Sequence, residues 1–437
     1  MRGPVIRAAI VLLYGVSLAA SAATSPGRGV TLRIAGRANA TPSIAALGDV
    51  VAVAWGATTL GSSRRAATDV FVAVSRDGGR RFGSPRRVND IDGDASLGGE
   101  QPPRVALVAG AGLEPSIVVV WTAKRPEGTR LLLARSDDGG TSFGRATAIA
   151  GGEAAGNRGW ESIATDRDGQ VVAVWLDHRE AAAATSGAMN HAGHNHSGSG
   201  TTNADGVARA QLSKLYFSRL ARGAGRDETQ TIAAGVCYCC KTAVAAGSDG
   251  SIYAAWRHVY PGNVRDIAFT VSRDGGRTFV APLRVSDDQW VLDGCPENGP
   301  GMAVDSRNRV HVVWPTLVSG STPDVEPTLE LFYAISNDGR SFAPRQRIPA
   351  EGVPRHVQIA AASDDSLILV WEEQASDTRR IVMARTDGNA GRFSRRVVSD
   401  SGRAIYPALA ATRNAAVVVW ANVASDQSVI QVKRLEE

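Results

Sequence analysis

Three features of the chain predict an all-β fold, a seven-bladed β-propeller of four-stranded antiparallel blades. Seven of the nine tryptophans close an alternating apolar strand: Trp55, Trp121, Trp175, Trp256, Trp314, Trp371 and Trp420. They are 66, 54, 81, 58, 57 and 49 residues apart, which leaves room for four short strands and their turns in each unit. A shorter strand precedes each tryptophan strand, and a glycine-rich turn follows the next strand in several units.

Taken in order, residues 1–22 carry the three parts of a signal peptide. Arg2 and Arg7 are the basic start, Ala8–Ala20 the apolar core, and Ala20-Ser21-Ala22 the small-residue cleavage site. The expectation is a periplasmic or secreted protein beginning near Ala23, where disulfides are permitted. No later apolar run is long enough to span a bilayer. Residues 23–437 are expected to form a single propeller domain. Val30–Gly36 reads as an orphan fourth strand that pairs with the last unit, which runs out at Val429–Leu435. That pairing closes the ring and removes exposed sheet edges.

The first strands are 42–47 (PSIAAL), 103–108 (PRVALV), 161–166 (ESIATD), 242–247 (TAVAAG), 301–305 (GMAVD), 357–361 (VQIAA) and 407–411 (PALAA). Fourth strands follow the turns, as in PRRVND, PLRVSDD and RRVVSD. One interval is long: residues 180–212, rich in Ala, Gly, Ser, Thr and Asn, read as a flexible insertion carrying Met189, His191, His194 and His196. Net charge is +5 with both signs dispersed, which argues against nucleic acid and suits an anionic ligand. A monomer with a ligand at the channel mouth is expected.

The turn recurs as Ser75–Phe82 (SRDGGRRF), Ser136–Phe143 (SDDGGTSF) and Ser272–Phe279 (SRDGGRTF), and one residue shorter as Ser336–Phe342 (SNDGRSF). Aspartate can accept hydrogen bonds from the turn backbone, glycine supplies positive φ, and phenylalanine packs back on the sheet. This turn resembles the Asp-box, or BNR, repeat of the sialidase-like β-propellers. The resemblance implies the fold, with the six-bladed sialidase ring as the alternative count. It implies no chemistry, because the box is a structural turn.

In such a propeller, the loops before each first strand and after each tryptophan meet on one face around the channel. The first set supplies Pro42, Arg104, Trp160, Glu161, Cys239, Cys240, Lys241, Cys295, Asn298, Arg355, His356 and Tyr406. The second supplies Lys124, Asp177, His178, Arg257, His258, Glu372 and Glu373.

All four cysteines fall there, as Cys237-Tyr-Cys239-Cys240 and Cys295. A disulfide from Cys295 to one of the triplet is one reading. Three thiols within four residues also suit a soft metal, copper or zinc, with His178, His258 and His356 as further ligands. A redox-active pair is the third reading.

The sialidase resemblance implies an arginine triad, a Tyr–Glu nucleophile pair and an acid/base aspartate. Arg104, Glu161, Asp177, Arg355 and Tyr406 have the right chemistry on the right rim, but none sits in a matching motif. Ala40-Thr41-Pro42-Ser43-Ile44 lacks the arginine expected in the first blade. The leading expectation is an exported binding protein for a soft metal or a partner. An exo-acting, sialidase-type glycoside hydrolase is the alternative, and a disulfide-stapled assembly propeller is the third.

Overall fold

The computed structural model describes residues 29–436 except 62–65, 111, 113, 150, 152–154, 185–202, 221–228, 320–325, 387–391, 400–401 and 425–426. The leader and the histidines at 191, 194 and 196, with Met189, lie outside the described residues.

The described chain is a β-propeller of four-stranded antiparallel sheets. The first contains Arg37–Leu47, Val50–Thr59, Thr68–Ser75 and Arg86–Arg87, paired in sequence order. Four further sheets repeat this order from Arg104–Val108, Arg158–Thr165, Ala243–Ala246 and Gly301–Val304. The strands from Val353–Ala361 onward share one larger sheet, in which two antiparallel groups meet through a single parallel bridge, Arg379 to Arg403. Val30–Leu32 pairs with Gln427–Glu436 in the register Val30↔Val432.

Each first strand lies against the first strand of the next sheet, and Arg403–Ala411 lies against Arg37–Leu47. The second strands are therefore covered on both faces, which explains their continuous apolar runs. Val118, Val119 and Val120 are fully buried, as are Val172 to Val174. All seven strand-ending tryptophans are buried, and most of their indole N–H groups find acceptors. Trp55 donates to Asn39 Oδ1 (3.0 Å), Trp175 to Asp177 Oδ2 (3.3 Å), Trp256 to His258 Nδ1 (3.3 Å) and Trp371 to Glu373 Oε2 (3.2 Å).

The glycine turns adopt one hydrogen-bonding pattern. Asp274 Oδ1 accepts from Ser272 Oγ (2.7 Å) and Thr278 N (2.9 Å), while Gly276 N donates to Ser272 Oγ (2.7 Å). Asp77 and Asp138 repeat it. Phe279 packs edge-on against Phe217 at 5.1 Å, so the turn is tied to the sheet beneath it.

Two departures from the sequence reading matter for the site. Four first strands begin earlier than their alternation indicates, at Arg37, Arg158, Val353 and Arg403. Each is bulged at one equivalent place, between Ala40/Ser43, Gly159/Ser162, Arg355/Gln358 and Ile405/Ala408. The bulge breaks the period-two pattern, which hides the strand start. In addition, the insertion expected to be flexible is helical at both ends, Arg179–Ala184 and Asn203–Gln211. The second helix packs on the turn Pro261–Asn263 and buries Ala210 completely. No helix among the described residues is long and apolar enough to cross a membrane.

Candidate functional site

Each bulge holds a non-glycine residue in the left-handed region: Thr41 (φ 52°), Trp160 (54°), His356 (53°) and Tyr406 (54°). That conformation is costly for a residue with a Cβ. It re-aims the side chain, and on Val353–Ala361 and Arg403–Ala411 it brings the two bulged residues together.

His356 and Tyr406 meet there. His356 Nδ1 is 3.0 Å from Glu372 Oε2, and the two rings stand edge to face at 4.8 Å. Glu372 is fully buried and also accepts from Tyr406 N (3.2 Å) and Arg379 Nη1 (2.8 Å). Burial alone would raise the Glu372 carboxyl. The hydrogen bonds from His356 and the Tyr406 N–H, with the Arg379 charge, outweigh it and hold the carboxyl below its usual range. The Tyr406 phenol is pushed up, first by burial and then by the negative charges of Glu372 and Glu297. It therefore stays protonated and can donate a proton. Arg355, next to His356, has a buried Nε with no hydrogen-bond partner.

A second group lies around Glu161. Glu161 follows Trp160 in its bulge and is fully buried. Burial pushes its carboxyl up to about 7, and its Oε1 has no partner. Arg104 donates from Nε to the Glu161 carbonyl (2.7 Å), leaving its own Nη2 unpartnered.

Glu100 escapes the sequence reading, because it precedes the strand by several residues. Its Oε2 accepts the amide N–H groups of Lys241 (2.9 Å) and Gly299 (2.7 Å), two sheets that follow much later in the chain. Gly99 lies flat against Tyr406: a Cβ there would stand 2.1 Å from Tyr406 Cε1, so only glycine fits. The loop at residues 96–101 therefore reaches Lys241, Gly299 and Tyr406, which lie in three other parts of the chain. Lys241 donates from Nζ to the carbonyls of Pro300 (2.9 Å) and Val357 (2.8 Å), and burial lowers its pKa to about 8.

Asp177 is occupied structurally. It is buried between Arg158 (3.1 Å) and Arg179 (2.5 Å) and accepts from Trp175. Burial would raise its carboxyl, but the Arg179 hydrogen bond and both arginine charges hold it low.

The cysteines come together. Cys239 is disulfide-bonded to Cys295, while Cys237 and Cys240 are free, buried thiols. The sulfurs of Cys237, Cys239 and Cys240 all lie within 4.8 Å of one another, and no histidine belongs to that group among the described residues. The histidines are committed elsewhere. His178 bonds Ser213 Oγ (3.0 Å) and packs on Trp160, His258 accepts from Trp256, and His356 holds Glu372. Burial lowers both His178 and His258 to about 4, which keeps them neutral. Arg265, unmarked by any motif, donates from Nη1 to Cys237 Sγ at 3.1 Å.

No family model and no curated protein matches this chain. Among solved structures, it is similar to a polysaccharide lyase, the PL25 ulvan lyase, with a TM-score of 0.57 at 10% identity, covering 94% of this chain and 96% of that one. The same lyase with a bound GlcA-containing saccharide aligns with a TM-score of 0.58 at 9% identity, covering 93% and 96%. An α-L-arabinofuranosidase from Fusarium graminearum aligns with a TM-score of 0.51 at 10% identity, covering 94% and 97%. At these identities the likeness is one of fold.

Proposed function

We propose that the sheets are seven blades of one closed ring, completed by Val30–Leu32, and that the ring carries a carbohydrate-active site. The chain then breaks a glycosidic linkage in an anionic saccharide, a class that includes the sequence reading's alternative, an exo-acting glycoside hydrolase of sialidase type. The observation that carries this is the His356–Glu372 hydrogen bond beneath the Tyr406 ring. Glu372 on Nδ1 orients the imidazole and leaves Nε2 to take a proton, while the protonated Tyr406 hydroxyl can give one. Arg355 and Arg104, each with an unpartnered guanidinium nitrogen, suit the carboxylate of an acidic sugar. Two residues of this group occupy strained bulges, and such strain gathers at functional sites. The raised Tyr406 phenol speaks against its use as a nucleophile, which departs from the sialidase template. Fold neighbours that are a polysaccharide lyase and a glycosidase agree with the substrate class, and the named residues carry the chemistry.

The test is turnover of uronate- and sialate-containing saccharides, reading new reducing ends and, separately, the unsaturated ends that elimination leaves. His356→Ala and Tyr406→Phe should abolish turnover while the protein stays folded. Full activity in both variants, or no turnover of any anionic saccharide, would overturn the reading.

A second reading, soft-metal binding, is favoured by the three sulfurs within 4.8 Å. It requires the Cys239–Cys295 bond to be reduced, so that thiolates rather than a disulfide face the ion. Metal analysis with thiol counting on one purified sample tests it: bound copper or zinc with four free thiols supports it, and a metal-free protein after reduction refutes it.

A further inference from the structure

The sulfur cluster holds a charge imbalance. Arg257 and Arg265 are both buried, at 1% and 0% exposure, and neither is ion-paired with a carboxylate among the described residues. Arg257 spends its donors on the carbonyls of Asn298, Arg265 and Pro315. Arg265 is held by Asn263 Oδ1 (3.2 and 3.0 Å) and points Nη1 at Cys237 Sγ. A buried guanidinium with only neutral partners is expensive, and an adjacent thiolate neutralises it. Cys237 Sγ receives the Arg265 guanidinium N–H at 3.1 Å, which places the cationic partner on this sulfur of the cluster.

That thiolate sits 3.9 Å from Cys239 Sγ, one half of the disulfide, and 3.7 Å from Cys240 Sγ. Cys237 and Cys240 also have the C-x-x-C spacing of dithiol redox pairs. We propose that Cys237 is the nucleophile of an internal thiol–disulfide exchange that moves the single disulfide between Cys239–Cys295 and Cys237–Cys240. Cys237 thiolate attacks Cys239 Sγ, the Cys239–Cys295 bond breaks, and Cys295 leaves as a thiolate that is protonated from solvent. Cys240, giving up its proton, then attacks Cys237 Sγ and expels the Cys239 thiolate. Each isomer has one disulfide and two thiols, so no oxidant or reductant is consumed.

The exchange has a structural consequence. Cys295 is the half-buried member of the four, and its loop supplies Glu297, Asn298 and Gly299. Asn298 Oδ1 accepts from His356 N at 3.3 Å, and Gly299 N is bound by Glu100. Moving the disulfide unfastens this loop from the Cys237–Cys240 segment and presents a free thiol beside the saccharide rim.

The test uses the full-length oxidised protein, alkylated without reductant, acid-quenched and mapped by mass spectrometry. Cys295 and Cys239 should become alkylated together, with a Cys237–Cys240 disulfide in the same molecules. Cys237→Ser should abolish Cys295 alkylation. If that variant does not fold, Arg265→Gln serves instead: it removes the counter-ion, and Cys295 alkylation near neutral pH should slow on the order of tenfold. Three results overturn the proposal: Cys295 unreactive in the wild type at every pH, an Arg265→Gln rate equal to wild type, or four thiols around a co-purified metal.

Discussion

Glu372 and His356 are a hydrogen-bonded pair across two neighbouring strands, 3.0 Å apart, with the carboxylate fully buried and the imidazole next to Tyr406. The strands run in the register Arg355↔Glu372, and the bulge that follows places His356 over the carboxylate instead of past it.

Replacing Glu372 by Gln tests that pair through stability. Its carboxyl is held below the ordinary value of 4.5, so the pairing contributes stability above about pH 4.5 that is lost as pH falls through the folded value. Glu372→Gln should cost about 3 kcal/mol near neutrality, the scale of a broken buried pair. Urea midpoints measured against pH should converge with wild type in acid. A constant gap at all pH would mean that the ionised carboxylate contributes nothing.

Glu161 has the opposite sign. Its carboxyl is raised from 4.5 to about 7, so its contribution is fully present below pH 4.5 and is lost as pH rises through about 7. The wild type should lose about 3 kcal/mol across that window. Glu161→Gln should not, and its stability curve should be flatter there. If Glu161 also carries a proton in turnover, the same variant loses activity while becoming more stable at alkaline pH.

Glu100 ties its loop to two distant sheets through the amides of Lys241 and Gly299. Glu100→Ala leaves both buried donors unsatisfied and should cost about 2–4 kcal/mol. Hydrogen exchange at Lys241 and Gly299 should accelerate well before the sheet amides respond. Unchanged exchange at both positions would contradict the tie.

The glycine turns lie away from this chemistry. Ser272 is fully buried and accepts Gly276 N while donating to Asp274. Ser272→Ala should cost about 1–2 kcal/mol, read as a lower thermal midpoint, and leave saccharide turnover unchanged. A loss of turnover in the folded variant would place function on the wrong face.

The repeat was legible in the residues because it is written by local rules. A tryptophan needs a slot in every sheet, and a left-handed turn needs glycine at Gly275 and Gly276, where φ is 73° and 88°. The four cysteines were also legible as a group, because every one falls in a rim loop. What each rim residue does was not legible, because it depends on which loops the packing of sheet on sheet brings together. Asp177, His258 and Glu373 share the position two residues after their tryptophans, and each accepts its indole N–H. Glu372, one residue earlier, turns to the other side and meets His356. Sequence spacing cannot separate those fates, since side chains one residue apart along a strand point to opposite faces. The bulges at Trp160, His356 and Tyr406, the reach of Glu100 to Lys241 and Gly299 and the placement of Arg265 beside Cys237 were decided by tertiary packing alone. Each depends on contacts between residues tens to hundreds of positions apart, where local propensity carries no information.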